Sequence, residues 1–221
     1  MKRRRHSKAV AALALAGALA ACVSLKRTPD ARFFALRSTA EASPTTTGLP
    51  LGPGLLGVLP VILPAYLERP QVVTWAAPGE VRIDEFLRWA EPLDLAVARV
   101  VEESLGTLLP SYRVVRAPWS GSTALRCRVR LELARFGPQP GGEVQLAGRW
   151  VLLPSRGEQP YLSRSFDNSR GPSRGPGAAG ALPADPNALV EAMSQLLGEL
   201  SQEIATAVAG LPSAEPAEPG D

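Results

Sequence analysis

The chain has 221 residues, 45% of them hydrophobic and 20% charged, with a formal net charge of +3. It is long enough for one sizeable core, and its single histidine and two cysteines leave few parts for metal, nucleophilic or general-base chemistry. The modest positive balance sits at the N-terminus and makes no case for a nucleic-acid partner.

Lys2, Arg3, Arg4, Arg5 and Lys8 are followed by an uncharged apolar run from Ala9 to Ala21. A basic start and an apolar core shorter than the ~20 residues of a spanning helix predict a signal peptide over residues 1–21. The run closes on Leu19-Ala20-Ala21-Cys22, which resembles the lipobox of bacterial lipoproteins, where cleavage precedes a cysteine carrying a diacylglyceryl group. A thioether needs sulfur, so Cys22 is the expected lipid-attachment residue. The alternative is a plain secretory signal followed by an incidental cysteine. Loss of the leader removes His6 and leaves 19 basic against 21 acidic side chains, a net of about −2.

Residues 22–50 are rich in Ser, Thr, Pro and Ala and are expected to form a lipidated tether with one short strand at Phe33-Phe34-Ala35-Leu36. Residues 51–210 are expected to form a single domain. Its β pattern begins with Leu55–Leu63, where Pro60 and Pro64 push the segment toward a sheet edge or a bulge. Gln71–Trp75 and Glu80–Glu85 follow, separated by the turn Ala77-Pro78-Gly79. Gly52-Pro53-Gly54-Leu55-Leu56-Gly57 fits G-x-G-x-x-G, but no strand precedes it and no helix follows, so it is no dinucleotide loop.

Pro92–Leu109 carries one apolar stripe at helical spacing, with Arg99 and Glu103 able to pair four residues apart. Tyr112–Val115 reads as a strand. Thr123–Phe136 and Val144–Leu152, joined by the Gly/Pro turn at 137–142, read as a long hairpin. Cys127 shares the apolar face of the first of these strands and is expected to be a buried hydrophobe, with no disulfide partner once Cys22 is acylated. Tyr161–Phe166 supplies a further strand. A Gly/Pro/Ser loop at 169–183 leads to Asp185-Pro186, an N-cap and first-turn proline that open a second apolar-striped helix ending near Val208. Residues 211–221 are expected to be a disordered acidic tail. The order predicts an α+β fold of two layers, a largely antiparallel sheet with two helices packed on one face.

Leu63-Pro64-Ala65-Tyr66-Leu67-Glu68-Arg69-Pro70-Gln71 and Arg88-Trp89-Ala90-Glu91-Pro92-Leu93 are the least generic stretches. Together with the lipobox and Phe34-Ala35-Leu36, they resemble the auxiliary lipoprotein family of ABC-type transporters, the group that includes the paraquat-inducible protein C of Gram-negative bacteria. The resemblance runs from about residue 20 to about residue 165 and does not extend into the 169–183 loop. It implies a non-catalytic, periplasm-facing lipoprotein with no cofactor, held to the membrane by its acyl groups. Its partners would be an MCE-domain (mammalian-cell-entry) protein, an ABC permease and an ATPase that together move lipid between the inner and outer membranes. The chain has no G-x-x-x-x-G-K-[ST] loop, so the ATPase is a separate subunit. Val23 after the lipidated cysteine points to the outer membrane, because aspartate there usually retains a lipoprotein at the inner one. A homo-oligomer is compatible with the family.

Tyr66, Arg69, Pro70, Trp89 and Glu91 are the partner-binding candidates. Proline fixes a chain reversal and arginine offers a fork of donors, while Glu91 suits the start of a helix. The alternative is that Tyr66 and Trp89 are core or hinge residues and that Arg69 and Glu91 form an internal salt bridge. Arg126, Arg128 and Arg130 share one strand face and are candidates for an anionic surface, against the commoner reading of a charged outer face that keeps a strand soluble. No catalytic residue or metal ligand is assigned. Two other readings remain. An independent outer-membrane lipid-binding or structural lipoprotein is one, and a hydrolase, which would lack a histidine and a G-x-S-x-G elbow, is the other.

Overall fold

A computed structural model describes residues 29–41, 54–120, 123–171 and 185–211. The leader, Cys22, most of the 169–183 loop and the acidic tail lie outside the described residues. Contacts divide the chain after Asp30, and every element below belongs to the unit that starts at Ala31.

The elements are β1 (Arg32–Phe34), β2 (Gly54–Val58), β3 (Gln71–Ala77), β4 (Glu80–Trp89), α1 (Leu93–Leu108), β5 (Tyr112–Arg116), β6 (Leu125–Pro138), β7 (Val144–Pro154), β8 (Leu162–Arg170) and α2 (Pro186–Ala209). The fold is α+β, with a three-stranded sheet ordered β1-β4-β3 and a five-stranded sheet ordered β5-β2-β6-β7-β8. The antiparallel part is the β3–β4 hairpin and the β6-β7-β8 meander. β1 runs parallel to β4, and β2 runs parallel to both neighbours. Parallel pairing needs a long crossover, and the β3–β4 hairpin with α1 provides it between β2 and β5.

β2 corrects one expectation. It lies inside the five-stranded sheet, not at an edge, because it ends at Val58, before Pro60 can remove a ladder donor. A register shift does occur, between Leu55 and Leu56. Gly57 is required there for space: a Cβ would stand 2.8 Å from the Trp119 ring. Gly54 and Gly57 thus belong to a strand, and the G-x-G-x-x-G match has no phosphate-binding geometry.

α1 and α2 pack on each other and on the five-stranded sheet. The odd-numbered face of β6, Cys127, Val129, Leu131 and Leu133, shares a core cluster with Val97, Val101 and Leu105 of α1 and Leu196, Leu197 and Leu200 of α2. Asp185 caps α2 by accepting from the Asn187 N–H at 2.9 Å, with Pro186 at the first helical position. The strap from Leu36 to Ala40 ties the helices together. Ser38 Oγ and Ser104 Oγ lie 2.9 Å apart, and the Arg37 N–H donates to Ser194 Oγ at 3.2 Å. Gly198 admits this strap, since a Cβ on it would strike Thr39 Oγ1.

β6 is interrupted once. Leu133 pairs with Gly148 and Arg135 with Ala147, so Ala134 is an inserted bulge residue. The bulge moves the buried side chains from odd positions to Phe136. Opposite it, a Cβ on Gly148 would collide with the Glu132 carbonyl and stand 2.9 Å from Leu133 Cα. Both obstacles are backbone, so Gly148→Ala will force the hairpin apart at a cost of about 2–3 kcal/mol, read as a fall in thermal midpoint of about 4–10 °C.

Cys127 is fully buried and free. Desolvation pushes its thiol up from 9.0 to about 11, against a smaller opposing effect of Arg126. At pH 8 a thiol reagent will therefore label Cys127 only after denaturation, as peptide mass analysis will show. Because the folded-state value is raised, the contribution is complete below pH 9 and is lost as pH rises from 9 to about 11.

A candidate docking cleft

After β2 the chain follows β6 without rejoining the sheet as a full strand. The Leu59 N–H donates to the Val129 carbonyl, the Ile62 N–H to the Leu131 carbonyl and the Leu133 N–H to the Ile62 carbonyl, each at 2.9 Å. The chain then turns through one 3-10 turn, Ala65–Leu67. The Tyr66 O–H donates to the carbonyl of Ala134 at 2.9 Å, so the bulge supplies the acceptor that fastens this turn. The Tyr66 ring meets Trp75 edge-on, with centroids 5.6 Å apart at 77°. Burial pushes the Tyr66 phenol up, so its donor proton is held further into the alkaline range than an ordinary phenol's. Arg69 Nε in turn donates to the Tyr66 carbonyl at 3.1 Å.

The end of β4 closes on this turn. The Trp89 N–H donates to the Pro70 carbonyl at 2.7 Å, and the Ala90 N–H to the Phe34 carbonyl at 2.8 Å. A cleft of about 520 Å³ opens between the two segments, with Val61, Leu63, Pro70, Trp89 and Leu93 as its apolar walls. Glu68, Arg69, Glu91 and Asp94 supply its charges.

Arg69, Pro70, Trp89 and Glu91 thus come together around one cavity, although about 20 residues separate the two pairs in sequence. Tyr66 stands behind them as a fastener rather than in the lining. Trp89 is a wall, only 6% exposed. Glu91 pairs with Arg99 instead of Arg69. Arg99 Nε and Nη2 donate to Glu91 Oε1 at 3.1 and 2.6 Å, Nη2 donates to the Leu36 carbonyl at 2.8 Å, and Nη1 reaches Glu103 at 3.1 Å. The hydrogen bond to Glu91, chiefly, pushes the Arg99 guanidinium further up, and this one side chain sets the entry to α1 against the strap. Only its pairing with Glu103, four residues away, is visible in the sequence. The Glu91 contact spans eight residues and the Leu36 contact 63, and no periodicity marks either.

The arginine row on β6 is engaged by the turn after β7. Arg128 Nε donates to the Pro154 carbonyl at 2.9 Å and Nη2 to the Gly157 carbonyl, while Arg130 Nη2 donates to Glu158 at 3.1 Å. The Arg128 side chain is 15% exposed, and Arg126 is half-buried on the same strand. A second, more polar cleft of about 630 Å³ lies between the strap and α2, where Arg37 pairs with Glu191 and Arg170 with Glu199. Among the described residues no cluster of His, Cys, Asp and Glu could hold a metal ion, and no helix is long and apolar enough to cross a membrane.

Solved structures share this architecture at low identity. An uncharacterized protein of known crystal structure matches with a TM-score of 0.63 and 20% identity, over 81% of this chain and 99% of its own. A Xanthomonas campestris protein of the DUF330 family matches with a TM-score of 0.62 and 18% identity, over 81% of this chain and 97% of its own. No curated protein sequence matches. The family described as "ABC-type transport auxiliary lipoprotein component" matches residues 34–205. That span covers the cleft, α1 and all but the last four residues of α2, and it passes through the 169–183 loop at which the sequence resemblance stopped. The chain belongs to the ABC-type transport auxiliary lipoprotein family.

Proposed function

We infer that this protein is a non-catalytic docking subunit of an ABC-type transport system, anchored through acylated Cys22 in the outer membrane and facing the periplasm. Its partner is the MCE-domain protein of a system that moves lipid between the two membranes with a permease and an ATPase. The observation that carries this reading is the convergence of the Leu63–Gln71 and Arg88–Leu93 stretches on one apolar cleft, in a chain whose family is defined by association with an ABC-type transporter. A cavity of this kind with charged groups at its margin is suited to recognition, and no nucleophile and base stand together in it.

The experiment is to crosslink the full-length lipidated protein in its own envelope through a C-terminal tag, purify it, and identify the proteins and lipids recovered. An MCE-domain protein or its permease is expected. Phospholipid alone, with no transport component, would replace this reading with a self-sufficient lipid-binding lipoprotein.

A further inference from the structure

The cleft has a sign. Three carboxylates stand among its apolar walls, those of Glu68, Glu91 and Asp94, against one cation, Arg69. Glu91 is already neutralised by Arg99 at 2.6 Å. The side chains of Glu68 and Asp94 make no hydrogen bond or ion pair among the described residues, and Arg69 has committed its Nε to the Tyr66 carbonyl. An occupant that covers the walls must therefore desolvate two unpaired carboxylates, which is unfavourable unless the occupant brings positive charge.

Exposed hydrophobic side chains also neighbour the lining residues in sequence. Among the described residues, the large hydrophobic side chains left exposed are Phe33, Ile62, Val81, Leu95 and Tyr161. Leu95 follows the lining residue Asp94 on α1, whereas Ile62, between the wall residues Val61 and Leu63, and Phe33, paired in register with Arg88, alternate with buried neighbours and stand on the other side of their segments. A phospholipid suits this cleft less well, because its phosphate would meet two unpaired carboxylates and one cation, Arg69, whose Nε is already held by the Tyr66 carbonyl.

We propose that the cleft receives an apolar stretch of the transport partner's polypeptide with a lysine or arginine at its flank, the cation held by Glu68 and Asp94. This rests on the docking reading above and names the chemistry of the partner's segment. It also reverses the expected polarity of the contact. Arg69 shapes the turn through its Nε, and the carboxylates do the recognising.

The test uses the full-length, lipidated, tagged protein crosslinked in its own envelope. Four forms are compared with the wild type: Glu68→Lys with Asp94→Lys, Glu68→Gln with Asp94→Asn, Glu80→Lys, and Glu158→Lys. Glu80 is exposed and lies about 30 Å from Trp89 along β4, so it controls for net charge. Glu158 controls for the arginine row. Recovery of the transport component should fall about tenfold or more in the double reversal and severalfold in the neutral pair, with both controls near wild type. Circular dichroism checks the fold of each, and if the double reversal does not fold, the neutral pair decides by the same measure. Wild-type recovery in the folded double reversal would overturn the proposal while leaving the docking reading intact. Loss of bound phospholipid in place of the protein component would also overturn it. Absence of any transport component from the wild-type sample would remove the docking reading itself.

Discussion

Trp150→Ala will destabilise the domain by about 3–5 kcal/mol, a large share of the roughly 5–15 kcal/mol that holds a domain folded. Trp150 is completely buried on β7, in the core cluster that joins the five-stranded sheet to both helices. Its indole N–H donates to Glu203 of α2 at 3.3 Å, and Glu203 also lies 3.6 Å from Arg164 of β8. The substitution therefore leaves a cavity and also removes one of the donors that tie α2 to the sheet. Trp150→Phe should recover most of the packing and lose only the hydrogen bond, at about 1–2 kcal/mol. Guanidinium unfolding followed by circular dichroism separates the two, because a lower midpoint with unchanged slope reports stability alone.

Arg99→Met will act on the cleft as well as on stability. It keeps the apolar stem but strips the guanidinium from Glu91, Glu103 and the Leu36 carbonyl at once. The Arg99 and Glu91 side chains are 26% and 33% exposed, so the cost is smaller than for a fully buried pair, about 2 kcal/mol. Arg99→Lys should lie between, since a point charge cannot serve three acceptors in a fork. Faster proteolysis in the strap at residues 36–41, measured by mass analysis of the first cuts, is the local sign of the lost tie. Recovery of the transport component should fall in parallel, because the tie from Arg99 to Glu91 and the Leu36 carbonyl that sets this wall of the cleft is lost, and this loss of shape outweighs the attraction that an uncompensated Glu91 adds for a cationic occupant.

Much of this fold was legible in local pattern. The apolar stripe of α1, the Asp185-Pro186 start of α2, and the β6–β7 hairpin with its strict alternation on the Cys127 face all follow from period and turn chemistry. The parallel placement of β2 was not legible, because alternation reports which face is dry and is silent on strand direction or neighbours. Two prolines close after Val58 argued for an edge, yet they lie outside the ladder. The Ala134 bulge did leave a trace, in the shift of buried residues from odd positions to Phe136, and with it the acceptor for Tyr66. At the site, the rare residues around Arg69-Pro70 and Trp89-Ala90-Glu91 marked the right segments. The pairing of Glu91 with Arg99, and the unpaired state of Glu68 and Asp94, arise from tertiary geometry that a one-dimensional spacing does not encode.

Docking of a transport partner at the cleft can be caught with a photocrosslinking amino acid at Leu95, and separately at Val81, in the lipidated protein in its own envelope. Both side chains are exposed, and Val81 sits near the far end of β4 from Trp89. A partner seated in the cleft should give an adduct with an MCE-domain protein or its permease from Leu95, mapping to an apolar peptide flanked by lysine or arginine, and none from Val81. A protein adduct from Val81 alone, or only lipid adducts from Leu95, would contradict it.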